Sequence, residues 1–354
     1  MRCVHVIPYM AARAGGPVVV VDRLCRRMAA LGVESVVLTT DVLGEAPPER
    51  VEARDGGVGG PALARSGDTS RWARMGDCPG GGYEQRTFHA LSRRFAYSPA
   101  LAAALNEIVP TCDLVHVHTL WTHTTAAAVH AARRHRVPCV VMPHGMLDPN
   151  ALARKRLRKL LYGRLFEFAR VRSARGVIYT TDEERDLARR TLRTAAGKPP
   201  EYVVPLGADE PPGRREVLAR AFLADRPDLA DKTLVTFLGR VHPKKGLDLL
   251  VPAFAAVAAR VPRAHLLIVG PDEAGTWPRV RRQVESLGLA ARVTRIDMLT
   301  GARKWSALAA STLFVLPSYQ ENFAIAVAEA MRIGTPVVIS ERVNIRRTVE
   351  SGGA

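Results

Sequence analysis

Cysteine is scarce in this chain. Cys3, Cys25, Cys78, Cys112 and Cys139 are all there is among 354 residues, an odd number with no C-x-x-C pair. That spacing excludes a disulfide framework or a cysteine zinc cluster and fits a reducing compartment. Aromatic residues make up 6% of the chain, thin for a platform that stacks nucleic-acid bases. No D-x-D triplet occurs anywhere, so the paired carboxylates that hold Mg²⁺ or Mn²⁺ on a diphosphate are missing. Long apolar runs are missing too. Leu114–Ala132 lacks Lys, Arg, Asp and Glu, but four histidines and several threonines make it a poor membrane span. The opening MRCVHVIPYM has no apolar leader core. The expectation is a cytoplasmic protein that can touch the inner face of a membrane.

What is present in excess is positive charge: 51 Lys and Arg against 34 Asp and Glu, a net +17. A partner carrying negative charge follows, whether nucleic acid, anionic lipid or a phosphorylated substrate. Short apolar runs alternate with longer helical stretches. Val4–Ile7, Ser35–Thr39, Leu114–Val117, Cys139–Met142 and Val177–Tyr179 form one series. Leu234–Leu238, Leu266–Val269, Leu313–Leu316 and Val337–Ile339 form a second. This spacing predicts parallel sheets in βαβ units, an α/β chain of two doubly wound, Rossmann-like domains over 1–205 and 231–354. The Pro-, Gly- and charge-rich stretch around PLGADEPPGRRE reads as a linker over 206–230. Residues 44–82 are rich in Gly, Pro and Arg and read as a flexible insertion. In such sheets ligands bind outside the C-terminal strand ends, so the loops after strands should carry the chemistry.

Two such loops stand out in the second half. In FLGRVHPKKG (237–246), Gly239 permits a tight turn, and Arg240 and Lys245 are placed near a helix start where a diphosphate would be held. Alone, this reads equally as a solvated basic turn. In PSYQENFAIAVAEAM (317–331), Glu321 lies at the mouth of a helix and Glu329 lies within an otherwise apolar run. A carboxylate in so apolar a helix needs a partner. The vicinal hydroxyls of a ribose are one, a structural ion pair with a neighbouring Arg is another. The backbone N–H groups of Asn322, Phe323 and Ala324, free at a helix start, add donors.

These strings, with GPDEAG and MLTGARKWSALAASTLFVLPSYQENFAIAVAEAMRIGTPVV, resemble the signature of glycosyltransferase family 4, and Glu321 and Glu329 match its E-x7-E motif. The resemblance implies a GT-B fold with two domains facing across a cleft, retention at the anomeric carbon, and no metal or other cofactor. It places Glu329 on the donor ribose, Glu321 on the donor sugar, and Arg240 and Lys245 on the leaving diphosphate. The missing D-x-D agrees, since cations would stabilise the leaving group.

In the first half, Gly15 and Gly16 follow the first strand, and the resemblance sets that loop against the donor phosphates and the acceptor. Strand alternation puts His116 and His118 on one face, with His118 nearest the C-terminal end, where it can orient an acceptor hydroxyl or the donor sugar. His144 follows the next strand end. The segment PHGMLDPNALARKRLRKLLYG resembles family members of bacterial surface-polysaccharide assembly, which implies a saccharide or polyprenyl-linked acceptor. Arg154–Arg175 carries nine basic residues and one acid, with Leu157, Leu160, Leu161, Leu165 and Phe168 near helical spacing. It reads as a basic amphipathic helix, either docking on anionic lipid or simply solvated.

Two departures from the family pattern bear on activity. Ala324 stands where Gly is usual. The chain also stops at Ala354, where resembling proteins continue into helices that close back on the first domain; the expectation is a retaining glycosyltransferase, with a truncated, weak or inactive homologue as the alternative. The rivals are a sugar-nucleotide epimerase of the same fold and, on charge alone, a nucleic-acid-binding protein.

Overall fold

The computed structural model describes residues 1–11, 14–44, 71–75, 82–153, 156–192, 199–272 and 274–352. The chain divides into two compact units, Met1–Val204 and Pro205–Ala354. Most of the 44–82 stretch lies outside the described residues.

The first unit holds an eight-stranded sheet of β1 (Arg2–Val6), β2 (Glu34–Thr40), β3 (Arg71–Met75), β4 (Tyr83–Phe88), β5 (Leu114–His118), β6 (Cys139–Met142), β7 (Gly176–Tyr179) and β8 (Glu201–Val203), in the order β3-β4-β2-β1-β5-β6-β7-β8. Its pairings are parallel except the edge strand β3, which runs antiparallel to β4. Strand β3 therefore gives ordered secondary structure to part of the stretch read as a flexible insertion. β1 and β5 are central, and the two-residue period decides what each face carries. Val4, Val6, Val115 and Val117 enter one apolar core, while His5 and His116 sit at paired register positions with His118 one step beyond.

The second unit holds a parallel five-stranded sheet of β9 (Thr233–Leu238), β10 (Ala264–Val269), β11 (Val293–Ile296), β12 (Leu313–Leu316) and β13 (Val337–Ile339), ordered β11-β10-β9-β12-β13. β9 and β12 are neighbours, so the two motif loops leave adjacent strand ends. The linker reading of 206–230 needs correction. Arg215–Asp225 is a helix packed on the helix Gly301–Ala310, with Leu218 and Phe222 buried. The Arg215 guanidinium donates to the carbonyls of Ala309, Ser311 and Gly334. The polar composition of this helix hid its short apolar stripe. A proline inside the helix Leu247–Arg260, Pro252, leaves the Asp248 carbonyl without its helix donor; the Gln283 side chain supplies one at 3.2 Å.

Arg154–Arg175 is helical from Arg156 to Arg172, with a π-helical turn at Gly163–Glu167; residues 154 and 155 lie outside the described residues. Leu157, Leu161, Leu165 and Phe166 face solvent, whereas Phe168 belongs to the core. Among the described residues no helix is long and apolar enough to cross a membrane.

Candidate functional site

In the second unit the loops after β9 and β12 are fastened to each other by backbone. Gly246 adopts φ +71°, and a Cβ there would meet the Pro317 carbonyl oxygen at 2.0 Å. Only glycine permits both the left-handed turn and that approach. The Tyr319 N–H donates to the Lys244 carbonyl at 2.8 Å, and the Tyr319 hydroxyl donates to Asp248 at 2.8 Å. Lys244 reaches Gln320 at 3.2 Å. The loop after β10 joins them: Gly270 has φ +145°, and a Cβ on it would strike the Gly239 carbonyl at 2.0 Å.

On this scaffold Lys245 forms an ion pair with Glu321, both side chains partly buried. Glu329, buried inside the helix Ile325–Arg332, accepts a 2.7 Å hydrogen bond from Lys304 of the helix Gly301–Ala310. The structure thus brings Lys245 and Glu321 together and gives Glu329 a cationic partner, a lysine where an arginine was the expected alternative. Lys304 was missed because a lysine early in an amphipathic helix looks like any solvated one. Arg240 is half-buried at the same strand end, and Gly239 packs beside the Lys245 stem. The Glu321 backbone is held by Arg342 and Asn344, and Asn322 by the Asn344 amide.

Ala324 is the N-cap of the helix Ile325–Arg332 and lies in the left-handed region, φ 57° and ψ 64°. Glycine's freedom is what that position calls for, and here a Cβ is accommodated at some strain.

In the first unit four histidines gather at the ends of β1, β5 and β6. His118 Nε2 lies 3.2 Å from His5 Nδ1, and its Nδ1 lies 3.1 Å from His144 Nε2. The His116 ring lies tilted beside that of His118, ring centroids 4.0 Å apart. Burial pushes His116 down to about 4, and pushes His5 and His118 well below the ordinary imidazole range, with neighbouring imidazoles adding to the effect. Desolvation and His116 also push His144 down, although it keeps part of its surface exposed. Three non-glycine residues here have positive φ: Thr119 (71°), Trp121 (69°) and His144 (52°). Such strain persists where surroundings over-determine the backbone. One cause is Glu184. This buried carboxylate accepts from the Gly145 N–H at 2.5 Å and from the Thr180 N–H and hydroxyl at 2.7 and 2.8 Å, pinning the loop after β6 to the end of β7. Glu184 and His5 escaped sequence reading; only the interruption of an apolar strand by His5 pointed to it.

Gly15 caps the helix Gly16–Ala30 with φ 85°, a conformation that favours glycine. Gly16 has open space where a Cβ would be, so local packing does not demand glycine there.

Comparison with known proteins addresses both units. Residues 222–354 match the family model described as "Glycosyl transferases group 1", and residues 15–207 match "Glycosyl transferase 4-like domain". A protein of Nocardiopsis dassonvillei named D-inositol 3-phosphate glycosyltransferase is 30% identical over 96% of this chain and 76% of its own. One of the same name from Rhodococcus opacus is 37% identical over 51% of this chain, an alignment that spans 41% of its own length. Among solved structures, Anabaena HepE in complex with UDP and glucose superposes with a TM-score of 0.67 over 98% of this chain and 82% of its own, at 17% identity. WaaG, a glycosyltransferase involved in lipopolysaccharide biosynthesis, does so at 0.67 over 100% and 84%, at 16% identity. The fold is GT-B.

Proposed function

Because the chain belongs to the group 1 glycosyltransferases with a 4-like N-terminal domain, we propose that it moves a sugar, with retention, from a nucleoside diphosphate sugar to a hydroxyl of a saccharide or polyprenyl-linked acceptor. The observation that carries this reading is the pair of lysine–carboxylate contacts within one unit, Lys245 with Glu321 between the loops after β9 and β12, and Lys304 with Glu329 between two helices. A ligand that brings both phosphate and vicinal hydroxyls answers both halves of such a set.

In this reading Glu329 accepts from the ribose hydroxyls. Lys245 turns from Glu321 to the diphosphate, joined by Arg240 and by the N–H groups of Asn322, Phe323 and Ala324. Glu321, released, accepts from donor-sugar hydroxyls. Gly239 lets the phosphates come close to backbone. The bond from the anomeric carbon to the diphosphate oxygen breaks, and a bond to the acceptor oxygen forms on the same face. The acceptor proton passes to the departing phosphate oxygen, whose charge Lys245 and Arg240 stabilise without a metal. From the first unit, Gly15, Gly16 and His144 serve the donor, and His118, neutral, exchanges one of its two histidine partners for the reacting hydroxyl or sugar that it orients.

Uridine diphosphate sugars are the first donors to test, since HepE binds UDP and glucose. An anionic acceptor suits the +17 charge, and the curated relatives are named for a phosphorylated polyol. Surface-polysaccharide assembly is the proposed setting. The exposed Leu157, Leu161 and Leu165, among Arg158, Lys159 and Arg164, support docking on an anionic membrane.

Acceptor-dependent release of nucleoside diphosphate tests this reading, and full activity in Glu329→Ala or Lys245→Ala overturns it. An epimerase would interconvert the donor without any acceptor, and a nucleic-acid-binding protein would shift DNA and release nothing.

A further inference from the structure

We propose that His5, His116 and His118 form a binding site for a first-row transition-metal ion, with Zn²⁺ the representative ligand. The three residues lie on β1 and β5, and each offers a ring nitrogen within 4.8 Å of the other two. Their rings are almost wholly withdrawn from solvent, with exposures of 0% for His5, 5% for His116 and 0% for His118.

Two observations point to a ligand rather than to packing. The first is geometry. Zinc–imidazole bonds of 2.0–2.1 Å set ligand nitrogens about 3.4 Å apart in a tetrahedron. His5 Nδ1 and His118 Nε2 already stand 3.2 Å apart. The remaining nitrogen has to close by no more than about 1.4 Å, within reach of a ring rotation. The second is unmet bonding capacity. The Nε2 atoms of His5 and His116 are buried and find no hydrogen-bond partner. Buried polar groups are nearly always paired, so the His116 orphan needs a reason, and an ion at this ring supplies one; His5 faces His118 through Nδ1, which leaves its own Nε2 outside the coordination.

His144 strengthens the assignment. A metal-bound imidazole usually hands its other ring nitrogen to a fixed partner, which settles its tautomer and orientation. His118 has that partner: its Nδ1 lies 3.1 Å from His144 Nε2 while its Nε2 faces His5. His144 is itself fixed, since Glu184 clamps the next residue by the Gly145 N–H. The donor set is all imidazole, which suits Zn²⁺, Co²⁺, Ni²⁺ and Cu²⁺ and disfavours Mg²⁺ and Ca²⁺. Three neutral ligands leave the ion's charge uncompensated, so a hydroxide or another anion completes the fourth position. The metal site uses neither Lys245 nor Arg240, which the proposed function sets on the diphosphate, but it shares His118 and His144 with that reading, and metal uptake is read independently of sugar transfer.

The test is equilibrium dialysis of the full chain against Co²⁺ and Zn²⁺. One ion per chain is expected, with the strong visible bands of tetrahedral Co²⁺ that Zn²⁺ displaces. His5→Gln and His116→Gln should each weaken binding at least tenfold, and His144→Gln by about 10–100-fold. His89→Gln, which removes an exposed ring paired with Asp41, should change nothing. Should a core variant fail to fold, X-ray absorption of the Zn²⁺-loaded natural chain counts the ligands directly, and three imidazoles are expected. Substoichiometric uptake, a zinc shell with fewer than two imidazoles, or unchanged uptake in a folded His5→Gln, His116→Gln double variant overturns the proposal.

Discussion

The two units solve the same problem in opposite ways. Each places polar groups at the C-terminal ends of central parallel strands. The second unit uses full charges and matches them, Lys245 with Glu321 and Lys304 with Glu329. The first uses imidazoles, which burial keeps neutral, and leaves two of their nitrogens unmatched. Charges held in partnered form can be handed to a charged ligand by exchanging one partner for another. Neutral groups in a core gain most from a ligand that needs lone pairs. The difference teaches that the kind of partner a strand-end cluster awaits is written in its burial and in its unmet bonds.

The comparison breaks most sharply at Lys245. Lys245→Ala should lower sugar transfer by roughly 10²–10³-fold while the fold survives, if the cation stabilises the charge that develops as the bond breaks, as the proposed function has it. Steady-state release of nucleoside diphosphate reads the rate, and an unchanged kcat would remove Lys245 from the chemistry. Next comes the buried pair. Glu329→Ala leaves the Lys304 ammonium without the carboxylate it faces and should cost about 3–5 kcal/mol in urea unfolding. The Lys304→Ala, Glu329→Ala double variant should lose less than the two single losses combined, since the pair is one interaction.

Much of this was legible beforehand, for identifiable reasons. Strands such as Cys139–Met142 and Leu313–Leu316 fall where continuous apolar runs place them, because strands buried on both faces leave no polar alternation to obscure them. β4 and β11 were not legible. YEQRTF and VTRI carry charge at the sheet margins, and only pairing with β2 and β10 reveals them as strands. Glu321, Glu329, Arg240 and Lys245 could be picked out because their loops follow strong strands. Lys304, Glu184 and His5 could not, since each acts through a partner distant in sequence. Ala324 departs from the family pattern in the sequence itself, but only the folded backbone, at φ 57°, gives it a left-handed conformation that residue type alone does not announce.

Three smaller effects sharpen the contrast. For His116 the folded value near 4 lies below the ordinary value of about 6.5, so the unfolded chain binds the proton first. Its contribution is complete above pH 6.5 and is lost as pH falls toward 4, up to roughly 3 kcal/mol. Urea midpoints between pH 7 and 4.5 should show this slope, and His116→Gln should reduce it, the remainder coming from His5, His118 and His144, which burial also pushes down. A slope identical in both proteins would place the acid sensitivity elsewhere. Gly246→Ala forces a Cβ onto the Pro317 carbonyl and should cost roughly 3 kcal/mol, with transfer weakened because both motif loops shift. A variant as stable as the natural chain would show that the loops are not mutually braced. Ala324→Gly should relieve the left-handed cap and raise stability by about 0.5–1 kcal/mol, the smallest change of the series. A loss of stability on thermal melting would mean the cap is not strained.

The central claim is that the second unit holds a nucleoside diphosphate on Lys245 and Glu329. Calorimetric titration of UDP and of UDP-glucose into the natural chain, Lys245→Ala and Glu329→Ala measures it directly. The account predicts one site per chain, with affinity reduced at least tenfold in either variant under conditions where both are folded. Equal affinity in all three proteins would contradict it.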